Sequence, residues 1–148
     1  MHRLIRWARR DDLEGVRDFL TRANLGTEGL NEETAEGFLL MEDESGRLKG
    51  ILGMEVFEEE GLLRSLVISQ GQAEQDLFIL MEQMVKLAAE KGLNSLFLAT
   101  NKHAAIPFFE WIGFQQVEQE ELPLELSRSE HIRHLLSVDN SLFLKYKL

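Results

Sequence analysis

The chain has no cysteine, which excludes disulfides, thiolate-bound metals and a cysteine nucleophile. Its 148 residues include only two prolines and one tyrosine, Tyr146. No internal repeat, low-complexity segment or linker interrupts it, and no apolar run approaches the ~20 residues of a membrane span. Cations are also scarce: 16 Lys and Arg against 26 Asp and Glu leave a net charge of −10. An acidic surface repels nucleic-acid phosphates, so DNA or RNA binding is not expected. The acidity reads first as a solvated, solubilising surface, and it also favours a cationic partner such as an amine. The N-terminal stretch MHRLIRWARRDD is basic but lacks an apolar segment, so it does not read as a secretory signal. A cytoplasmic protein without membrane contact is the expectation.

What is present is an ordinary globular composition, 44% hydrophobic and 28% charged. The length suits one domain, 1–148, burying roughly 68–70% of its unfolded surface. Leu4–Ala8 reads as a first strand. Asp11 and Asp12 offer an N-cap for a helix whose apolar face is Leu13, Val16, Phe19 and Leu20. Gly26 and Gly29 break that pattern, and Asn31-Glu32-Glu33-Thr34 can cap a short second helix. Phe38–Glu42 and Leu48–Phe57 read as strands around a tight turn at Asp43–Gly46. A second turn, Glu58–Gly61, leads into a strand over Leu62–Ser69. Leu77, Leu80, Met81, Met84, Val85 and Ala88 then repeat at helical spacing, with Lys91-Gly92 as the stop. Ser95–Thr100 is apolar enough for a strand buried on both faces. A short helix over Ala104–Ile112 closes at Gly113, and a strand is expected over Phe114–Glu121. A last helix starts near Ser127-Arg128-Ser129-Glu130 and runs through His134–Leu136, and the strand Leu142–Leu148 ends the chain. The pattern predicts an α/β fold, a mixed sheet with helices on both faces.

The segment Leu62–Phe114 carries the most specific signal. GLLRSLVIS leads through a polar turn into the long helix, then a strand, then a short helix ending FFEWIGF. This order resembles the GNAT superfamily of N-acetyltransferases. LLRSLV, FLAT-N, PFFEWIGF and the proline of ELPLEL fit a branch that includes arsenic-resistance-associated acetyltransferases and the acetyltransferase domains of N-acetylglutamate synthases. The resemblance covers nearly the whole chain and is weakest in the first 40 residues. It implies a GNAT-like mixed central β-sheet with splayed middle strands. It further implies acetyl-CoA as co-substrate, a small-molecule amine or amino acid as acceptor, and is compatible with a homodimer.

By the same resemblance, the backbone of Leu66, Val67 and Ile68 would pair with the pantetheine arm, and the following turn would hold the pyrophosphate. In the family that turn reads Arg/Gln-x-x-Gly-x-Gly/Ala. Here it reads Gln72-Ala73-Glu74-Gln75-Asp76-Leu77, with no glycine in either alignment register. A helix N-terminus attracts anions through its unpaired N–H groups and a macrodipole of about +0.5 charge. Glycines let the backbone come close to the phosphates. Glu74 and Asp76 do the opposite. They stabilise an empty helix end, and at ~6 Å with an effective dielectric of 20 each would oppose a phosphate charge by about 2–3 kcal/mol. A capped helix with no ligand is the competing reading.

Acid and base candidates are few. Where many family members carry a tyrosine that protonates the leaving thiolate, this chain has Phe109, as the branch with Phe-Phe does. Asn101 matches a polar residue that often faces the cofactor, and equally reads as a cap for the short helix. Glu55, on a strand expected to line the acceptor side, is the candidate general base; otherwise it is one polar position on a half-exposed strand. His103 reads as a solvent-exposed loop residue. His131 and His134 are three apart without a third ligand, so no metal site is expected. Tyr146 reads as packing. Two functions remain open, an N-acetyltransferase and a non-catalytic GNAT-fold binding or regulatory module with weakened or lost CoA binding.

Overall fold

The computed structural model describes residues 4–27, 29–69, 74–136 and 141–148; of Glu74, Ser127, His131, Leu135 and Leu136 it describes the backbone alone. Seven strands form one mixed sheet. They are β1 (Leu4–Trp7), β2 (Phe38–Glu42), β3 (Leu48–Phe57), β4 (Glu60–Ile68), β5 (Ser95–Thr100), β6 (Gln115–Val117) and β7 (Leu142–Lys147), in the order β1-β2-β3-β4-β5-β7-β6. Among the described residues five α-helices accompany them: α1 (Leu13–Arg22), α2 (Glu32–Ala35), α3 (Glu74–Glu90), α4 (Ile106–Ile112) and α5 (Glu130–Leu136). No described helix is long and apolar enough to cross a membrane. The chain forms two compact units, Met1–Met54 with Ser65–Leu87 and Glu55–Arg64 with Ala88–Leu148.

In the first unit, β1, β2 and β3 pair antiparallel, with Leu40 opposite Ile51 and Met41 opposite Gly50. Alternation sends these two pairs to opposite faces. Phe38, Leu40 and Ile51 bury against Val16 and Leu20 of α1 and Ala35 of α2, with Leu13 and Phe19 packed at the margin. On the other face, a Cβ at Gly50 would stand 3.0 Å from Leu80 Cδ1 of α3 and 3.2 Å from Ile68 Cγ2 of β4. Leu80, Met81 and Met84 are fully buried, and Leu77 and Val85 half-buried, as the helical spacing predicts. The last turn of α3 belongs to the second unit, where Ala88 is fully buried and Gly92, at φ +80°, follows the helix end.

Local polar chemistry decides the element ends. Asn31 caps α2 as expected, its Oδ1 accepting the Thr34 N–H at 2.9 Å. Asp43 Oδ1 closes the β2–β3 turn by accepting from the backbone N–H groups of Ser45 and Arg47. Asp12 departs from expectation. Its backbone is itself helical (φ −85°, ψ −3°) and its side chain does not cap α1. The carboxylate instead accepts the Arg9 N–H at 2.7 Å and two guanidinium N–H groups of Arg6 at 2.8 and 3.0 Å. A two-pronged charge-assisted contact outweighs a single cap bond. The bond from Arg6 holds the Asp12 carboxyl below its ordinary pKa.

In the second unit, β5 pairs parallel with β4 over three positions, ending at Leu62–Phe97, and antiparallel with β7 over six. Leu62, Phe97 and Phe143 bury against Leu126 and Ile132. The opposite face carries α4, where Phe109 meets Phe114 edge-on at 6.0 Å and Phe114 meets Tyr146 at 5.3 Å. Tyr146 is thus packing, as read from the sequence. Helices cover both faces in each unit.

Three expected boundaries move by two residues or more. β4 begins at Glu60 rather than Leu62, because the turn needs only Glu58 and Glu59, with Glu58 at φ +59°. β6 ends at Val117 rather than Glu121. Glu121 Oε1 accepts the Glu118 N–H at 3.1 Å and folds Gln119–Glu121 into a single 3₁₀ turn. α4 starts at Ile106 after a 3₁₀ turn over His103–Ala105, with Pro107 in its first turn, where a missing N–H is harmless.

Two stability predictions follow from this packing. Leu80→Ala removes a fully buried side chain beside Gly50 and should cost ~2–5 kcal/mol in denaturant unfolding; a parent-like midpoint would refute the assigned face. Glu60 is half-buried and its Oε2 is covered without a hydrogen-bond partner among the described residues. Burial raises its pKa, with Lys145 opposing. A raised carboxyl contributes its stability below the unfolded pKa of about 4 and loses it as pH rises through the folded value. Glu60→Gln should therefore raise the melting temperature at pH 7, with the gain vanishing below about pH 4. A gain that persists undiminished at pH 3 would exclude charge burial as the cause.

Candidate active site

The end of β4 is built by its own backbone. Ser65 sits at φ +60° inside the strand, a left-handed conformation that costs a non-glycine residue about 1–2 kcal/mol. It falls where β4 passes between the two units and three residues beyond the last β5 pair, Leu62–Phe97. The middle strands are splayed in this sense: β4 continues to Ile68 and β5 to Thr100 without further pairing to each other, while β5 stays paired with β7. Beyond Ser65, Leu66, Val67 and Ile68 are half-buried. Val67 packs on the α1 side of the first unit and Ile68 reaches the Gly50 side. The Ser69 N–H binds the Lys49 carbonyl at 2.8 Å. The side chains thus anchor the strand while its backbone runs between them.

The turn that follows is only partly described. Gln72 and Ala73 lie outside the described residues, and Glu74 is the first residue of α3. Gln75 is exposed and Leu77 half-buried. Asp76 is fully buried. Of the two acidic residues read as facing an incoming phosphate, Asp76 is therefore turned into the protein.

In the second unit, Asn101 is exposed and caps nothing. The N-cap of the 3₁₀ turn is Lys102, whose N–H is taken by Thr100 Oγ1 at 3.0 Å. The threonine hydroxyl sits one position nearer the strand, which removes the capping role expected of Asn101. His103 and His134 are exposed, and the His131 side chain lies outside the description. Phe109 is buried, 8% exposed, with its ring edge-on to Phe108 at 5.3 Å.

Glu55, the candidate base, is half-buried near the end of β3. Its Oε1 accepts the Ser129 hydroxyl at 2.7 Å. Ser129 is 1% exposed and has the extended backbone of an N-cap (φ −75°, ψ 128°). Its Oγ accepts the Ile132 N–H of α5 at 3.3 Å. The sequence marks Ser129 only as part of a helix start; nothing in the pattern connects it to a strand 74 positions away.

No family model matches the chain. It is 30% identical over 142 residues to the Bacillus subtilis protein YwlB, itself uncharacterised, covering 95% of each chain. Among solved structures, the N-acetylglutamate synthase of Neisseria gonorrhoeae, complexed with coenzyme A and N-acetyl-glutamate, matches with a TM-score of 0.79 at 22% identity. All of this chain is covered, and it spans 35% of that longer one. An acetyltransferase of the GNAT family from Staphylococcus aureus matches with a TM-score of 0.73 at 15% identity, over 99% of both chains. This protein therefore has the GNAT fold and belongs to the same family as Bacillus subtilis YwlB.

Proposed function

We propose that this protein is a cytoplasmic N-acetyltransferase that moves the acetyl group of acetyl-CoA to the amine of a small molecule or amino acid. The observation that carries the reading is β4, which leaves its ladder with β5 at Leu62, turns left-handed at Ser65 and is anchored by the side chains of Val67 and Ile68. In this reading the backbone of Leu66, Val67 and Ile68 holds the pantetheine arm. Such contacts need the fold rather than particular side chains. A backbone N–H near Val67–Ile68 polarises the thioester carbonyl. The neutral amine attacks the carbonyl carbon, the new C–N bond replaces the C–S bond, and coenzyme A leaves as the thiolate. Glu55 takes the proton from the amine. Phe109 has no proton to give, so the thiolate is not protonated from that position. The coenzyme A and N-acetyl-glutamate held by the Neisseria protein support the choice of co-substrate and an amino-acid-like acceptor.

A second reading, a non-catalytic GNAT-fold binding module, is favoured by the Gln72–Leu77 turn, where no glycine lets the backbone approach a pyrophosphate. Calorimetric titration with acetyl-CoA separates the two. The expected dissociation constant is in the high micromolar range, roughly −5 kcal/mol; the absence of any heat at millimolar ligand would favour the second reading. Repair of the turn extends the test. Because Asp76 is buried, the Ala73→Gly, Gln75→Gly pair is preferable to replacing the acidic residues. It should tighten binding at least about tenfold, or 1.4 kcal/mol. A folded variant that binds no better would place the defect beyond the turn.

A further inference from the structure

The Glu55–Ser129 hydrogen bond joins a strand to the first turn of a helix in the second unit, and both of its ends have chemical consequences. The Ser129 hydroxyl has one proton and gives it to Glu55 Oε1 at 2.7 Å. Its lone pairs face the Ile132 N–H at 3.3 Å. Ile132 is buried with Leu62, Phe97 and Phe143, so the helix start that holds the serine is fixed by the core. Ser129 is too deeply buried, at 1% exposed, to meet a substrate itself. Glu55 is half-buried, and among the described residues only its Oε1 is engaged, which leaves Oε2 for an amine.

We propose that Ser129 is the positioning residue for the Glu55 carboxylate: by donating to Oε1 it fixes which oxygen faces the acceptor. The inference rests on the reading of Glu55 as general base. Arg128, before Ser129, approaches Glu58 at 3.8 Å. Arg133 donates to the Arg128 carbonyl at 3.4 Å. Glu58, Glu130 and Arg133 are exposed, and Glu60 on the adjoining strand lies near Lys145. Among the described residues no ion pair engages Glu55, so the neutral hydroxyl is the group that sets its orientation.

The test uses the full chain and three variants. Ser129→Gly removes the hydroxyl while keeping a residue tolerated at a helix N-cap, Ser129→Thr restores it, and Glu55→Gln removes the carboxylate. Carbon-13 NMR of the Glu55 carboxyl at pH 7 reads the hydrogen bond directly and needs no activity. In Ser129→Gly that resonance should move from its parent position, and in Ser129→Thr it should return. In Ser129→Gly kcat for acetyl transfer should fall about three- to tenfold with the KM for acetyl-CoA little changed, and Ser129→Thr should restore it. A Glu55 resonance and a kcat that are both unchanged in folded Ser129→Gly would overturn the inference. If Glu55→Gln keeps the full transfer rate, Glu55 is not the base, and the positioning role is overturned while the hydrogen bond itself stands.

Discussion

The close approach of α3 and the end of β4 to Gly50 is the contact on which the candidate cofactor site depends. Any side chain there would press on Leu80 and Ile68, at 3.0 and 3.2 Å from its Cβ. Well-packed interiors have little room to absorb such a shift. Gly50 thereby sets where Ile68 lies, and Ile68 and Val67 together set the line of the backbone after Ser65. The same unit has a stricter constraint nearby: a Cβ at Gly37 would collide with the Met54 carbonyl oxygen. The Met54 N–H also binds the Gly37 carbonyl at 2.8 Å. The register of β2 against β3, and so the position of Gly50, is pinned by backbone contact rather than by side-chain fit.

Much of this fold is legible without coordinates, and the reason is periodicity. Leu80, Met84 and Ala88 repeat at a spacing only a helix places on one face, and the strands over Phe38–Glu42 and Ser95–Thr100 are bounded by turn chemistry on each side. The misplaced boundaries share a cause. Asp12, Asn101 and Glu121 are polar residues with several available partners, and local spacing alone does not choose among them. Asp12 finds Arg6, Thr100 pre-empts Asn101, and Glu121 folds back on Glu118. In each case the winning partner lies within six positions along the chain, and the choice is made between competing local hydrogen bonds.

The site divides along the same line. The segments from Leu62 to Phe114 are recognisable because the family's strand and helix order survives there. The left-handed Ser65 is not, since serine has no special preference for positive φ and its neighbours Arg64 and Leu66 read as plain strand. Ser129 is invisible for a different reason: its partner Glu55 lies 74 positions away, and only the tertiary fold brings them together. Burial of Asp76 belongs to this class as well, because an acidic residue in a helix's first turn ordinarily reads as a solvent-facing complement to the dipole.

The contrast between the two halves of the cofactor site bears on what a glycine-poor turn can mean. A pantetheine arm held along β4 depends on backbone geometry, which Gly50, Val67 and Ile68 maintain. A pyrophosphate held at the α3 N-terminus depends on close backbone approach, which the Gln72–Leu77 sequence does not favour. The pyrophosphate is remote from the reacting carbonyl and changes little between ground and transition states. Contacts to it are therefore mostly uniform binding, and weakening them raises KM without lowering kcat. A loss of about 2–3 kcal/mol there would weaken affinity by about a hundredfold. It would leave the backbone near Val67–Ile68 and, separately, the Glu55–Ser129 hydrogen bond as they are. A degenerate turn is thus compatible with an enzyme that works at high acetyl-CoA concentration. On the proposed reading, loss of catalysis would require damage to the groups that act on the acetyl carbonyl and the amine, and the turn contains none of them.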